Sequence, residues 1–136
     1  MKKKLIKRIF ILAGLVNIGG ILLFSKFFTN DYLTQVNAQT FSNLSLVLIM
    51  IWGAAYIVVA GQISKVPALS LVFAIEKAVY VFDYVSWLQS TPYSLGAIWQ
   101  HDLLTGTFYA VYGLNDLLFG VFFLVVFFQF TFRSKT

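Results

Sequence analysis

Four long apolar runs, residues 9–28, 44–63, 66–88 and 108–130, leave this chain few ways to fold. Each is close to the ~20 residues a helix needs to cross ~30 Å of hydrocarbon. Lipid offers no hydrogen bonds, so a spanning segment must satisfy its own backbone groups. Runs of this length, with few turn residues inside them, therefore predict helices. The expected fold class is all-α: an integral membrane four-helix transmembrane bundle, built as one domain from the 136 residues. Composition agrees. Charged residues make up 11% of the chain, against about 25% in a soluble domain. Apolar residues reach 60%, and the mean hydropathy is +0.83.

The basic residues predict an orientation. Lys2, Lys3, Lys4, Lys7 and Arg8 precede the first run, Lys65 lies in the link between the second and third, and Arg133 and Lys135 follow the fourth. The loops 29–43 and 89–107 contain no Lys or Arg. The bias of positive charge toward the cytoplasmic face places both termini inside, which an even number of spans requires. The expected location is the bacterial inner membrane, multi-pass, with the lipid bilayer as the first partner. Lys26, at the outer end of run one, can snorkel to the interface. The basic start and the small-residue pattern of residues 36–38 also resemble a signal peptide. Run one is longer than the usual apolar part of such a peptide and lies about ten residues from that pattern, so an uncleaved anchor is expected. Pro67 suits the first turn of the third helix. Residues 95–104 have the character of a short interfacial helix over the mouth of the bundle.

Several chemistries are excluded. With no cysteine there is no disulfide and no thiolate chemistry. A single histidine, His101, excludes a multi-histidine metal site within one chain and reads as a solvated loop residue. No phosphate loop or nucleophile motif appears. Neither a metal nor a cofactor is expected: carboxylates can hold a hard cation, but Lys77 beside them opposes it. The net charge of +5 flanks apolar runs and forms no basic face, so nucleic acid is not an expected partner.

The third run carries Glu76, Lys77 and Asp83. Ionisable groups in hydrocarbon are costly and tend to mark function. Strongly apolar residues contribute about −0.3 to −0.6 kcal/mol each to insertion, and a central Asp or Lys costs about 2.5–3.5 kcal/mol, so this helix needs partners. On a helical wheel Glu76, Tyr80, Asp83 and Trp87 share one face, with Tyr84 at its edge. Ala78, Val81, Val85 and Leu88 lie opposite. Glu76 and Lys77 are adjacent and point about 100° apart, so they are poor partners for each other. The fourth run supplies a partner. Tyr109, Tyr112, Gly113, Asp116, Gly120 and Phe123 share a face, and Asn115 lies beside Asp116. Counting rise per residue puts Glu76 about 15 Å from the inner end and Asp116 about 12 Å from the outer end, at similar depth. A Lys77–Asp116 pair is expected, with Glu76 protonated or bound elsewhere. Asn17 in run one reads as a hydrogen bond between helices or a ligand contact. Trp52 and Tyr56 in run two read as packing or as a pocket wall, and Trp87 and Trp99 as interface anchors.

Two short patterns, Glu76-Lys77-x-x-Tyr80 and Gly113-x-x-Asp116-x-x-Phe119-Gly120-x-x-Phe123, resemble those of small bacterial four-helix membrane proteins of the DoxX-like or BphX-like kind. The resemblance implies the fold and the membrane location and no particular activity. The residues themselves predict a binding or accessory protein with a midplane polar pocket. Its wall is drawn from Glu76, Lys77, Tyr80, Asp83, Tyr84, Tyr112, Asn115, Asp116, Asn17, Trp52 and Tyr56. The pocket would take a small amphipathic molecule or a partner helix. Two alternatives stay open: a proton-coupled small-molecule transporter acting as a homo-oligomer, and a membrane enzyme on a lipid-like substrate with Glu76 and Asp116 as its acid and base.

Overall fold

A computed structural model of the chain describes residues 1–132. Six helices make up the architecture: α1 (Lys3–Phe24), α2 (Asp31–Val36), α3 (Asn43–Val59), α4 (Ala68–Ser90), α5 (Leu95–His101) and α6 (Leu103–Phe132). There is no strand among the described residues. The protein is all-helical despite many β-branched and aromatic residues. Two helices, α1 and α6, are long and apolar enough to cross a membrane, with mean hydropathies of 1.9 and 2.0 over their best windows. The apolar α3 is shorter at 17 residues. At 23 residues α4 has the length to cross, but it carries Glu76, Lys77 and Asp83. The basic residues Arg133 and Lys135 lie outside the described residues.

Helix ends follow local chemistry. The Ser42 side chain accepts from the Ser45 amide to start α3, and Ser94 accepts from Ala97 to start α5. Asp102 accepts from both the amide and the hydroxyl of Thr105, at 3.0 and 2.6 Å, which starts α6 earlier than its apolar run begins. The short helix expected within residues 95–104 is present as α5. The loop expected at 29–43 contains a further helix, α2, initiated by Asn30, whose side chain accepts from the Leu33 amide. Short polar side chains favour this position because they satisfy an otherwise orphaned N–H.

Run one stops at Phe24 as a helix rather than continuing to residue 28. Lys26, Phe27 and Phe28 follow with φ of 50, 55 and 66°. Left-handed backbone costs non-glycine residues roughly 1–2 kcal/mol each. Hydrogen bonds oppose that cost. The Phe28 amide donates to Ser25 Oγ, the Asn30 amide donates to the Ser25 carbonyl, and Asn30 Nδ2 donates to the Phe24 carbonyl and to Thr105 Oγ1. The turn thus ties the end of α1 to the start of α6, and Lys26 pairs with Asp102 at 2.9 Å.

The long helices pack mainly as α1 on α3 and α4 on α6. In the first pair Gly14 and Gly53 face each other: a Cβ on Gly53 would lie 2.8 Å from Asn17 Cβ and from the Gly14 carbonyl oxygen. This approach lets Asn17 Nδ2 donate to the Ile49 carbonyl at 3.1 Å. Two apolar clusters join the pairs. One lies toward α2 and α5 and holds Ile21, Phe41, Trp87, Phe108, Tyr109 and Tyr112. The other lies toward the chain ends and holds Ile6, Phe10, Tyr56, Phe73, Phe123 and Val126. Trp87, expected as an interface anchor, is instead buried and stacked on Tyr109 with ring centroids 4.8 Å apart. The short α5 covers this end, so Trp87 meets protein where an uncovered bundle mouth would leave it at the interface.

Candidate functional site

Between the two apolar clusters lies a layer of buried polar side chains drawn from all four long helices. Glu76, Lys77 and Asp116 are 8, 2 and 7% exposed, and Asn17 is also buried. Because Glu76 and Lys77 are neighbours in α4, they leave the helix in different directions. Lys77 turns to α6 and α1. Its Nζ lies 2.7 Å from Asp116 Oδ1 and 3.2 Å from Asn17 Oδ1. Asn115 Nδ2 donates to the same Asp116 oxygen at 3.1 Å. Glu76 turns to α3, where the Tyr56 hydroxyl donates to its Oε2. The other oxygen, Oε1, is buried with no hydrogen-bond partner among the described residues. The Lys77 ammonium also lies 5.6 Å from the centre of the Tyr56 ring.

Asp83 sits two turns along α4 and belongs to a separate polar contact. It accepts from Thr40 at 2.9 Å, and the Tyr112 hydroxyl lies 3.5 Å from its second oxygen. The single polar face read from the wheel is therefore two levels: Glu76 and Lys77 at mid-length, and Asp83 nearer the end covered by α2. Thr40 carried no sequence signal, being a polar residue in a polar loop. Tyr84 is half-buried, and its hydroxyl lies 3.5 Å from the Ala110 carbonyl. Its ring fills the space that a side chain at Gly113 would need.

A cavity of about 120 Å³ adjoins the layer. Its polar lining is Asn17, Glu76, Lys77, Tyr80, Tyr112, Asn115 and Asp116, and its apolar lining includes Phe24, Phe41, Ile49 and Phe108. Val16 and Gly20 of α1 and Val111 of α6 are also part of its wall. Val16 and Val111 are exposed, and α1 and α6 touch only lightly, so this side opens laterally between the two helices. Toward the chain ends the cavity is closed by aromatic packing. Phe73 meets Tyr56 and Phe123 at centroid distances of 4.8 and 5.7 Å, and Phe10 meets Phe123 at 4.9 Å. Among the expected site residues, Asn17, Glu76, Lys77, Tyr80, Tyr112, Asn115 and Asp116 come together at the cavity. Tyr56 stands behind Glu76. Trp52, Asp83 and Tyr84 do not line the cavity. The Trp52 ring packs edge-on against Phe73 at 6.1 Å, on the α4 side of α3.

The arrangement is suited to holding a polar group inside an apolar wall. Glu76 and Asp116 both line this cavity, and Asp116 also borders an apolar groove between α4 and α6. No group of three or more His, Cys, Asp or Glu able to hold a metal occurs among the described residues. His101 lies at the exposed end, its ring 3.8 Å from that of Tyr32. No family model, no curated protein and no solved structure matches the chain.

Proposed function

We propose that this protein is a four-helix transmembrane bundle that binds a small amphipathic molecule drawn from the bilayer, with both termini in the cytoplasm. Two features support the membrane setting. Only 33 and 28% of the best apolar windows of α1 and α6 are buried, so most of their apolar surface faces outward. Large exposed side chains such as Ile51, Val58, Phe82, Leu114 and Leu118 lie on three of the long helices, and extended exposed apolar surface marks contact with lipid or protein. The orientation rests on the basic residues at the end formed by Lys2, Lys3, Lys4, Lys7, Arg8 and Lys65. At the opposite end Lys26 is held by Asp102. On this reading α4 is the third span, carried by partners for its charges, and α3 is matched to lipid by local thinning.

The observation that carries the binding role is the shape of the cavity: polar at its back, apolar along its sides and open laterally between α1 and α6. A binding role is favoured over transport because the end toward the termini is filled by the Phe10, Phe73 and Phe123 cluster. Among the described residues that cluster is apolar, which opposes a polar path at this end. It is favoured over catalysis because Asp116 is committed to Lys77 and Asn115, which removes one half of an acid–base pair. Native mass spectrometry after mild extraction tests the reading. The expected result is a discrete small amphiphile that stays with the wild-type chain and is lost from Glu76→Gln. A chain that carries only bulk phospholipid, in equal amounts in both forms, contradicts it.

A further inference from the structure

The charges around the cavity are unequal. Glu76 and Asp116 face it together with Lys77, and Asp83 lies two turns along α4. Among the described residues no other Lys or Arg lines the cavity. Lys77 is already engaged, by Asp116 at 2.7 Å and Asn17 at 3.2 Å. Among the described residues Glu76 is left with the Tyr56 hydroxyl on one oxygen and no partner on the other. A carboxylate in hydrocarbon is stabilised by a cation or a strong donor, and hydrogen bonds that are charge-assisted are roughly twice as strong as neutral ones. The titratable groups packed around Glu76 besides Lys77 and Asp116 are Tyr56 and Tyr80, and neither supplies a positive charge.

Size limits what can enter. The cavity of about 120 Å³ is somewhat smaller than the ~150 Å³ space known to hold a benzene ring. It takes a single small head group and no lipid in full. A tail must therefore leave through the lateral opening past Val16, Gly20 and Val111. Phe24, Phe41, Phe108 and Tyr112 add aromatic surface to the wall.

We infer that the cavity is a head-group site for cationic amphiphiles, in which a primary ammonium pairs with Glu76 and a single apolar tail lies between α1 and α6. The inference rests on the binding role proposed above. It adds a preference by charge that the binding role alone does not require.

The test uses the full chain in phosphatidylcholine nanodiscs and three probes of equal tail length: dodecylamine, dodecanol and dodecanoate. Saturable binding above that of empty nanodiscs is measured by equilibrium dialysis. Dodecylamine should bind at one per chain, at least tenfold more tightly than dodecanol, with dodecanoate weaker still. Glu76→Gln should bring the amine down to the level of the alcohol. Gly20→Leu fills the lateral opening from a position where an added Cβ meets no atom within 4 Å, and it should abolish saturable binding of every probe. If dodecanol or dodecanoate binds wild type as tightly as the amine, or Glu76→Gln leaves the amine unchanged, the charge preference is overturned while the pocket stands. If wild type binds none of the three, both the preference and the pocket are overturned. The comparison of the three probes on wild-type protein does not depend on how any variant folds.

Discussion

Replacing Lys77 or Asp116 alone leaves a buried charge without its partner. Removing one partner of a buried pair typically costs about 3–5 kcal/mol, whereas replacing both by apolar groups is often neutral. Asp116→Leu should therefore lower stability by about 3–5 kcal/mol in detergent unfolding experiments. The double variant Lys77→Met, Asp116→Leu should recover most of that loss. Additive losses in the double variant would contradict the pairing. Tyr56→Phe removes the donor to Glu76 and leaves both carboxylate oxygens without a partner. A loss of about 1–3 kcal/mol is expected, measurable in the same unfolding assay, and no change would mean that Glu76 has another partner.

At this scale the sequence was informative where cost exposed a residue. A lysine and two carboxylates inside apolar runs stand out, and counting helical rise placed Glu76 and Asp116 at similar depth, with Lys77 next to Glu76. Geometry then had to decide the rest. The wheel could not divide Asp83 from Glu76, because two turns of one helix face the same way whatever they meet. Trp52 and Tyr56 share a side of α3 and both meet Phe73, yet only Tyr56 reaches Glu76, and no periodicity distinguishes them. Asn30 and Thr105 form a buried contact across 75 positions of chain, and nothing local signals it.

At the level of elements, the turn after α1 is the most constrained join. Phe27 holds a φ of 55° while 72% exposed, so its side chain contributes little packing to offset the backbone cost. Phe27→Gly should raise stability by up to about 1 kcal/mol, since glycine adopts this region without steric penalty. A clear loss in thermal unfolding would contradict the left-handed turn. The start of α6 depends on Asp102. Its carboxyl is held down from the ordinary 3.8 to about 2, chiefly by the Thr105 hydroxyl, with Lys26 and the Thr105 amide adding to the effect. A depressed carboxyl stabilises the fold fully above its ordinary value and loses that contribution as pH falls through about 2. Protection of the Thr105 amide from hydrogen exchange should therefore fall between about pH 4 and pH 2. Protection that is flat across that window would mean that Asp102 does not hold the helix start. The long helices were legible from apolar length. The early start of α6 and the existence of α2 were not, because both depend on one capping side chain each.

For the whole molecule, the two ends differ in kind. The amino terminus donates to Gln129 Oε1 at 2.6 Å, and Gln129 Nε2 donates back to the Met1 carbonyl at 2.9 Å, so the start of α1 and the end of α6 lie together. At the other end α2, α5 and the Lys26–Asp102 pair form a cover. Between them the cavity is reached from the side. That geometry follows from α1 and α6 meeting only lightly while each packs closely on its own partner. The central claim is that this lateral opening admits one kind of molecule rather than lipid at large. Its most direct test is photo-crosslinking in native membranes, with a benzophenone amino acid placed at Val111, on the cavity wall, or at Val58, which is 80% exposed on α3. The account predicts one discrete small adduct at Val111 that disappears with Glu76→Gln, and a mixture of phospholipids at Val58. The same phospholipid mixture at both positions would contradict it.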